Sequence, residues 1–203
     1  MKEIFIIRHG QTEHNRKGIV QGKGINLPLN DTGLKQASLF SKAYGDVDFD
    51  VVYTSTLLRA QETVSFFIQK GIKHIIAAAL DEISWGSLEG QNQTMEDSKE
   101  FHDLIKEWEN GNVEISAPNG ESPLDVQKRQ QPFIDAIINS NDKKILVCMH
   151  GRAMRVLLCT LMKTSLSKMQ TFEHANLTLY KLHLHSNNNI EVVLHNDQQH
   201  LHA

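Results

Sequence analysis

An α/β fold of three layers, a mostly parallel central sheet flanked by helices, is the class this sequence predicts. Short apolar runs at 4–7, 51–53 and 144–149 alternate with stretches of helical periodicity, the pattern of βαβ units. Within the runs (IFII, VVY, ILVCM) apolar residues follow one another without polar alternation, as in strands covered on both faces. At 203 residues, 40% hydrophobic and 22% charged, the chain can fill one core, and a single domain over 1–203 is expected.

In chain order, 4–7 is the first strand, expected at the centre of the sheet. It stops at Arg8-His9-Gly10, where a glycine lets backbone approach a ligand, and Thr12 and Asn15 follow as hydrogen-bonding side chains. Residues 18–29 (GIVQGKGINLPL) read as a loop beside His9. Asp31 or Thr32 caps a helix on which Leu34, Ala37, Leu39, Phe40 and Tyr44 recur, and Gly45 ends it. After the strand at 51–53, a helix over 56–70 turns Ala60, Val64, Phe67 and Ile68 inward and carries Arg59 in its first turn. Residues 74–80 form a third strand, and a glycine-punctuated loop then carries Asp81, Glu82 and Glu89. Phe101, Leu104, Ile105 and Trp108 define an amphipathic helix over 94–109. Ser122-Pro123 starts a long helix, with proline at its first position. The strand at 144–149 ends in His150-Gly151, repeating the histidine-glycine pattern of the first strand. A helix over 152–162 follows, and 177–184 and 190–194 flank SNNN as a hairpin.

Arg8 and His9, Arg59, Glu82 and His150 all fall at strand-to-helix junctions, which an open parallel sheet gathers at the edge where ligands bind. Two guanidiniums, two imidazoles and one carboxyl group suit a phosphate monoester. Guanidinium forks hold its charged oxygens, a neutral imidazole attacks phosphorus, and a protonated carboxyl supplies the leaving alkoxide with its proton. Three acids share one loop, so Asp81 and Glu89 stand as alternatives to Glu82 on this evidence.

The formal charge of -3 excludes a global basic field, so neither nucleic acid nor a membrane surface is an expected partner. The first residues lack the long apolar segment of a signal peptide and no run reaches membrane-spanning length, so a cytoplasmic protein is expected. Cys148 and Cys159 sit in apolar contexts and predict no disulfide. Asp46, Asp48 and Asp50 precede a strand, whereas aspartyl-phosphatase chemistry needs acids that follow one; they read as a solvated edge. His183 and His185 share a strand face without a third ligand, so no metal site is expected. His195, His200 and His202 belong to a polar end expected to fray.

Arg8-His9-Gly10-Gln11-Thr12-Glu13-His14-Asn15 resembles the RHGxTxxN signature of the histidine phosphatase superfamily, also called the phosphoglycerate mutase-like family. Segments 27–33, 55–63, 82–90 and 120–122, and then His150-Gly151, match further family segments in order, so the resemblance spans nearly the whole chain. It implies a phosphoglycerate mutase-like fold in one histidine phosphatase domain, with 91–120 as a lid-like insertion. It makes His9 the nucleophile and Glu82 the proton donor. Arg8, Asn15, Arg59 and His150 would form the phosphate pocket, with Gln21 and the Gly151 backbone as helpers and Lys23 a weaker candidate. It implies no metal, nucleotide or other cofactor.

The expected activity is hydrolysis of a small phosphate ester by a metal-independent phosphomonoesterase, through a phosphohistidine on His9. A phosphoglycerate-type mutase and a non-catalytic phospho-ligand binder are the alternatives, although a binder has no use for Glu82. A mutase for a phosphorylated carboxylate needs cations over the pocket. Residues 91–120 offer acids, Lys99, Lys106 and no arginine, so the remainder of the ester is expected to be neutral or weakly charged, as in a sugar or nucleoside-like phosphate.

Overall fold

A computed structural model describes residues 1–92, 98–187 and 189–202. Strands β1 (Lys2–Arg8), β2 (Val51–Thr54), β3 (Lys73–Ile76), β4 (Lys144–Met149), β5 (Leu179–Leu184) and β6 (Ile190–Asp197) form one mixed sheet in the order β3-β2-β4-β1-β5-β6. The first four are mutually parallel where they pair, and β5 and β6 run antiparallel on the far side of β1. β1 is therefore interior, as its sequence predicts.

The uninterrupted apolar run of β1 has a direct explanation. Ile4 and Ile6 enter one core with Val51, Ile145 and Val147, while Phe5 and Ile7 enter the other with Val52, Leu146 and Cys148. A strand alternates faces with period two, so a sheet covered on both sides needs apolar residues at every position. Helices α2 (Asp31–Tyr44), α3 (Leu58–Thr63) and α4 (Ser65–Gln69) cover the second face through Phe40, Ala60 and Phe67. Helices α5 (Lys99–Glu109), α6 (Pro123–Asn139) and α7 (Gly151–Leu161) cover the first through Trp108, Ile137 and Leu157. A short helix, α1 (Glu13–Lys17), follows β1 directly. Lys2, at the amino end of β1, donates from Nζ to the carbonyls of Ile137, Ile138 and Ser140, which the end of α6 leaves without helical partners.

Several boundaries differ from those the sequence suggests. Asn30 caps α2, its Oδ1 accepting the Gly33 N–H at 2.9 Å, in place of Asp31 or Thr32. Leu34 is exposed, and Gly45 keeps right-handed backbone. The single helix expected over 56–70 is broken at Val64. Thr63 Oγ1 donates to the Arg59 carbonyl at 2.6 Å, a back-bond that bends helices, and it also accepts the Gly10 N–H at 3.0 Å. The third strand covers only Lys73–Ile76, and a single 3-10 turn completes the expected segment. α5 begins at Lys99; the expected positions 94–97 lie outside the described residues. The C-terminal end does not fray at His195 or His200. The His195 ring stands 4.9 Å from that of Tyr180, and His200 is buried with its ring 5.3 Å from Phe40. Among the described residues no helix is long and apolar enough to cross a membrane.

Strand register positions the chemistry. Arg8 pairs with Met149 and Thr54 with Cys148, so the residues that leave the sheet next, His9, Ser55 and His150, emerge side by side. The His9 N–H still donates to the Met149 carbonyl at 3.0 Å. Thr63 ties this edge to α3. Replacing it with valine leaves the buried Gly10 N–H without an acceptor, and urea denaturation should show a loss of about 1–3 kcal/mol at unchanged m-value.

Candidate active site

His9 leaves β1 buried, at 3% exposure, and its Nδ1 lies 2.7 Å from the Gly10 carbonyl. A carbonyl only accepts, so Nδ1 carries the proton and Nε2 carries the lone pair. Burial first, and then the charges of Arg59 and Arg8, hold the His9 pKa well below the ordinary histidine value. The ring is therefore neutral.

His150 stands beside it, with ring centroids 5.0 Å apart. Arg59 Nε donates to His150 Nδ1 at 3.2 Å, which makes Nε2–H the donor to Ser55 Oγ at 2.7 Å. Burial and then Arg59 push its pKa well below the ordinary value too. Arg59 is fully buried, and it also donates to the carbonyls of Ile25 (2.7 Å) and Gly22 (3.3 Å). Neither Arg59 nor His150 lines the cavity, and both His150 nitrogens are engaged. The resemblance puts both residues in the phosphate pocket, and the His150 ring stands directly beside His9 at its edge.

The cavity, of about 280 Å³, is lined by Arg8, His9, Asn15, Gln21, Glu82 and Gly151 from the predicted set. Asn15 Oδ1 accepts from the Thr12 N–H and from Asn176 Nδ2, both at 3.1 Å, and Gln21 Oε1 accepts from Thr12 Oγ1 at 2.6 Å. Both amides thus spend their oxygens on protein, and the buried Gln21 Nε2 has no partner among the described residues. Arg8 Nε is equally unpartnered. Both belong to residues that line the cavity. Lys23 is exposed and lines no part of the cavity. Gly10 does not serve ligand approach. A Cβ there would lie 2.8 Å from the Gly33 carbonyl, so its smallness admits α2.

Of the three acids on the loop after β3, only Glu82 lines the cavity. Asp81 accepts from the N–H and hydroxyl of Thr56, and Glu89 from the N–H groups of Gly24 and Trp85. Glu82 Oε1 accepts the Ile83 and Ala153 N–H groups at 2.9 and 2.8 Å, and Oε2 the Arg152 N–H at 3.1 Å. Each carboxylate oxygen has two acceptor sites, so only Oε2 has one left. The loop is braced from behind by Arg129, which donates to the Ala79, Asp81 and Glu82 carbonyls and pairs with Glu121 at 2.9 Å.

The sequence reading missed the rest of the wall: Arg152, Arg155, His174, Trp85, Phe101 and Ile19. Arg152 and Arg155 stand in the first turns of α7, at the helical spacing that puts them together just past His150-Gly151. That signal was available. His174 comes from a stretch without periodicity and carried none. Its Nδ1 accepts from Arg8 Nη1 at 3.2 Å, and burial, then Arg8, Arg155 and Arg152, push its pKa down to about 2. Its ring also fills the space a Cβ at Gly151 would need, 2.7 Å away. Among the described residues no cluster of three or more His, Cys, Asp or Glu side chains is arranged to hold a metal. The pair His183 and His185 instead faces Glu3 and Glu191.

The family profile described as histidine phosphatase superfamily (branch 1) matches residues 4–198. The chain belongs to that superfamily. It is 34% identical to the 2,3-bisphosphoglycerate-dependent phosphoglycerate mutase of Bradyrhizobium diazoefficiens, over 80% of this chain and 82% of that one. It is 27% identical to a Hydrogenobacter thermophilus protein with a provisional phosphoserine phosphatase 2 name, over 91% and 90%. Its fold matches Entamoeba histolytica phosphoserine phosphatase, solved with 3-phosphoglyceric acid, at a TM-score of 0.81 and 23% identity over 99% and 100% of the chains.

The neutral histidines make acid stability a test. Below about pH 6.5 the unfolded chain binds protons that folded His9, His150 and His174 refuse, so the stability they contribute is present above that pH and is lost as pH falls. Urea stability should therefore decline from about pH 7 to pH 5, and His174→Gln should flatten that decline by about 1.4 kcal/mol per pH unit.

Proposed function

We propose that this protein is a metal-independent phosphomonoesterase that hydrolyses a small phosphate ester through a phosphohistidine on His9. One observation carries the reading: a neutral, buried His9 whose Nε2 has no hydrogen-bond partner among the described residues shares a cavity with Glu82, whose Oε2 has an open acceptor site among them. In the first step Nε2 attacks phosphorus and the ester oxygen leaves, taking the proton carried by Glu82 Oε2. In the second, water attacks the phosphohistidine, gives its proton back to Glu82, and inorganic phosphate departs. Arg8, the Asn15 and Gln21 amides and the Gly151 N–H hold the phosphoryl oxygens. Arg59 keeps one N–H on each terminal nitrogen beyond its three present hydrogen bonds and can add to that hold, whereas His150 reaches a phosphoryl oxygen only if one of its two hydrogen bonds yields. Residues 98–120 supply one wall of the pocket through Phe101, in support of the insertion expected over 91–120. The free, buried Cys148 and Cys159 support a reducing compartment, in keeping with a cytoplasmic location.

A mutase, which returns the phosphoryl group to a second oxygen of the substrate, is the competing reading, favoured by the 34% identity to the Bradyrhizobium protein. The two separate on 3-phosphoglycerate: a phosphatase releases inorganic phosphate, and a mutase makes 2-phosphoglycerate.

Turnover of p-nitrophenyl phosphate should survive excess chelator and vanish in His9→Ala. Glu82→Gln should lose about 10²–10⁴-fold in kcat on an alkyl phosphate and much less on the p-nitrophenyl ester, whose leaving group needs no proton. Equal losses on the two esters would remove Glu82 as the acid.

A further inference from the structure

We propose that Asn176 is a positioning residue of this site: it holds the Asn15 amide with its oxygen turned to the protein, so that the Asn15 nitrogen is presented to the phosphoryl group. This deepens the phosphatase reading and rests on it. Asn176 lies outside the short segments that carry the family resemblance, and it does not line the cavity. It acts through Asn15, not on the substrate.

Two main-chain groups of fixed character orient both amides. The His9 carbonyl can only accept, so the Asn176 atom 3.0 Å from it is Nδ2. The Thr12 N–H can only donate, so the Asn15 atom 3.1 Å from it is Oδ1. The second Nδ2 proton of Asn176 goes to that same Oδ1, also at 3.1 Å. With both acceptor sites of Oδ1 filled, the Nδ2 N–H groups are what Asn15 can offer the cavity it lines. A phosphoryl dianion is all acceptor and needs donors. Turned by half a rotation, the same amide would show it an oxygen.

The main chain beside Asn176 keeps it in that place. The Leu177 N–H donates to the Arg8 carbonyl at 3.1 Å, and the Arg8 N–H donates to the Thr178 carbonyl at 3.3 Å, so this stretch is clamped to the end of β1 that delivers His9. Leu177 has left-handed backbone, with φ of 56°, which is uncommon for leucine. Its side chain is fully buried in the second core with Ile7 and Leu179. Strained backbone of this kind persists where the surroundings over-determine it, and it collects at functional sites. The result is one nitrogen that reaches both the carbonyl of the nucleophile and the oxygen of a pocket amide. Thr12 alone offers Asn15 a single N–H, and the amide then turns more readily.

The test is a double-mutant cycle on the full chain, in kcat/KM for p-nitrophenyl phosphate, over wild type, Asn176→Leu, Asn15→Ala and the double variant. A donor to a charged phosphoryl oxygen is a strong one, so Asn15→Ala should lose about 100-fold. Asn176→Leu, of nearly the same shape, should lose about 10-fold, and the double variant should lose no more than Asn15→Ala alone. A double variant down by about 1,000-fold, the product of two independent losses, would overturn the proposal. So would an Asn176→Leu protein as active as the wild type. Should Asn176→Leu fail to fold, which its urea midpoint reports, Asn176→Ala runs the same cycle with water free to reach the His9 carbonyl. Calorimetric binding of inorganic phosphate to His9→Ala, combined with the same two substitutions, reads the coupling without turnover and should show the same pattern in Kd. Failure of the phosphatase reading looks different: the wild type would leave p-nitrophenyl phosphate untouched, while phosphate binding would still report whether Asn176 and Asn15 are coupled.

Discussion

The carboxylate of Glu82 is the shared counter-charge of four guanidiniums. Arg8, Arg59, Arg152 and Arg155 each feel it through a largely buried region, and it also accepts three main-chain N–H groups, two of them from the first turn of α7. One side chain therefore ties the loop after β3 to the helix after β4 and makes so dense a group of arginines tolerable. Burial first, and then the same positive field, lowers the pKa values of His9, His150 and His174 and keeps the imidazoles neutral, as a nucleophile requires.

The rest of the molecule serves that arrangement. Parallel pairing of β1 with β4 and of β4 with β2 delivers His9, His150 and Ser55 to one edge without any loop having to find its place. Arg129 and Glu121 hold the backbone of the Glu82 loop, which gives the segment at 120–122 a mechanical reason to be what it is. α5 and the loop after β3 contribute aromatic surface. Trp108 and Trp85 form the platform under the Arg152 guanidinium, and Phe101 closes the wall.

Much of this was legible in the sequence because it is written in local patterns. Apolar runs ending in Arg8-His9-Gly10 and His150-Gly151 gave strands and the edge they share, and Ser122-Pro123 marked the start of α6. What stayed hidden depends on long-range packing. The break at Val64 follows from a hydroxyl bonded to Gly10, 53 positions away. His200 escapes fraying because its ring packs against Phe40. The resemblance already pointed to Glu82 over Asp81 and Glu89, but how the other two acids are engaged rests on hydrogen bonds that no spacing reveals. Arg152 and Arg155 were overlooked for a different reason: arginines on a helix usually face solvent, and here the helix is buried nearly all round.

The central claim is that His9 becomes covalently phosphorylated during turnover. Alkaline quench of the protein during steady-state hydrolysis, followed by peptide mass spectrometry, addresses it directly. A phosphoryl group on His9, stable to alkali and lost in acid, is the predicted result. Full turnover with no protein-bound phosphoryl group, or with that group on another residue, would contradict it.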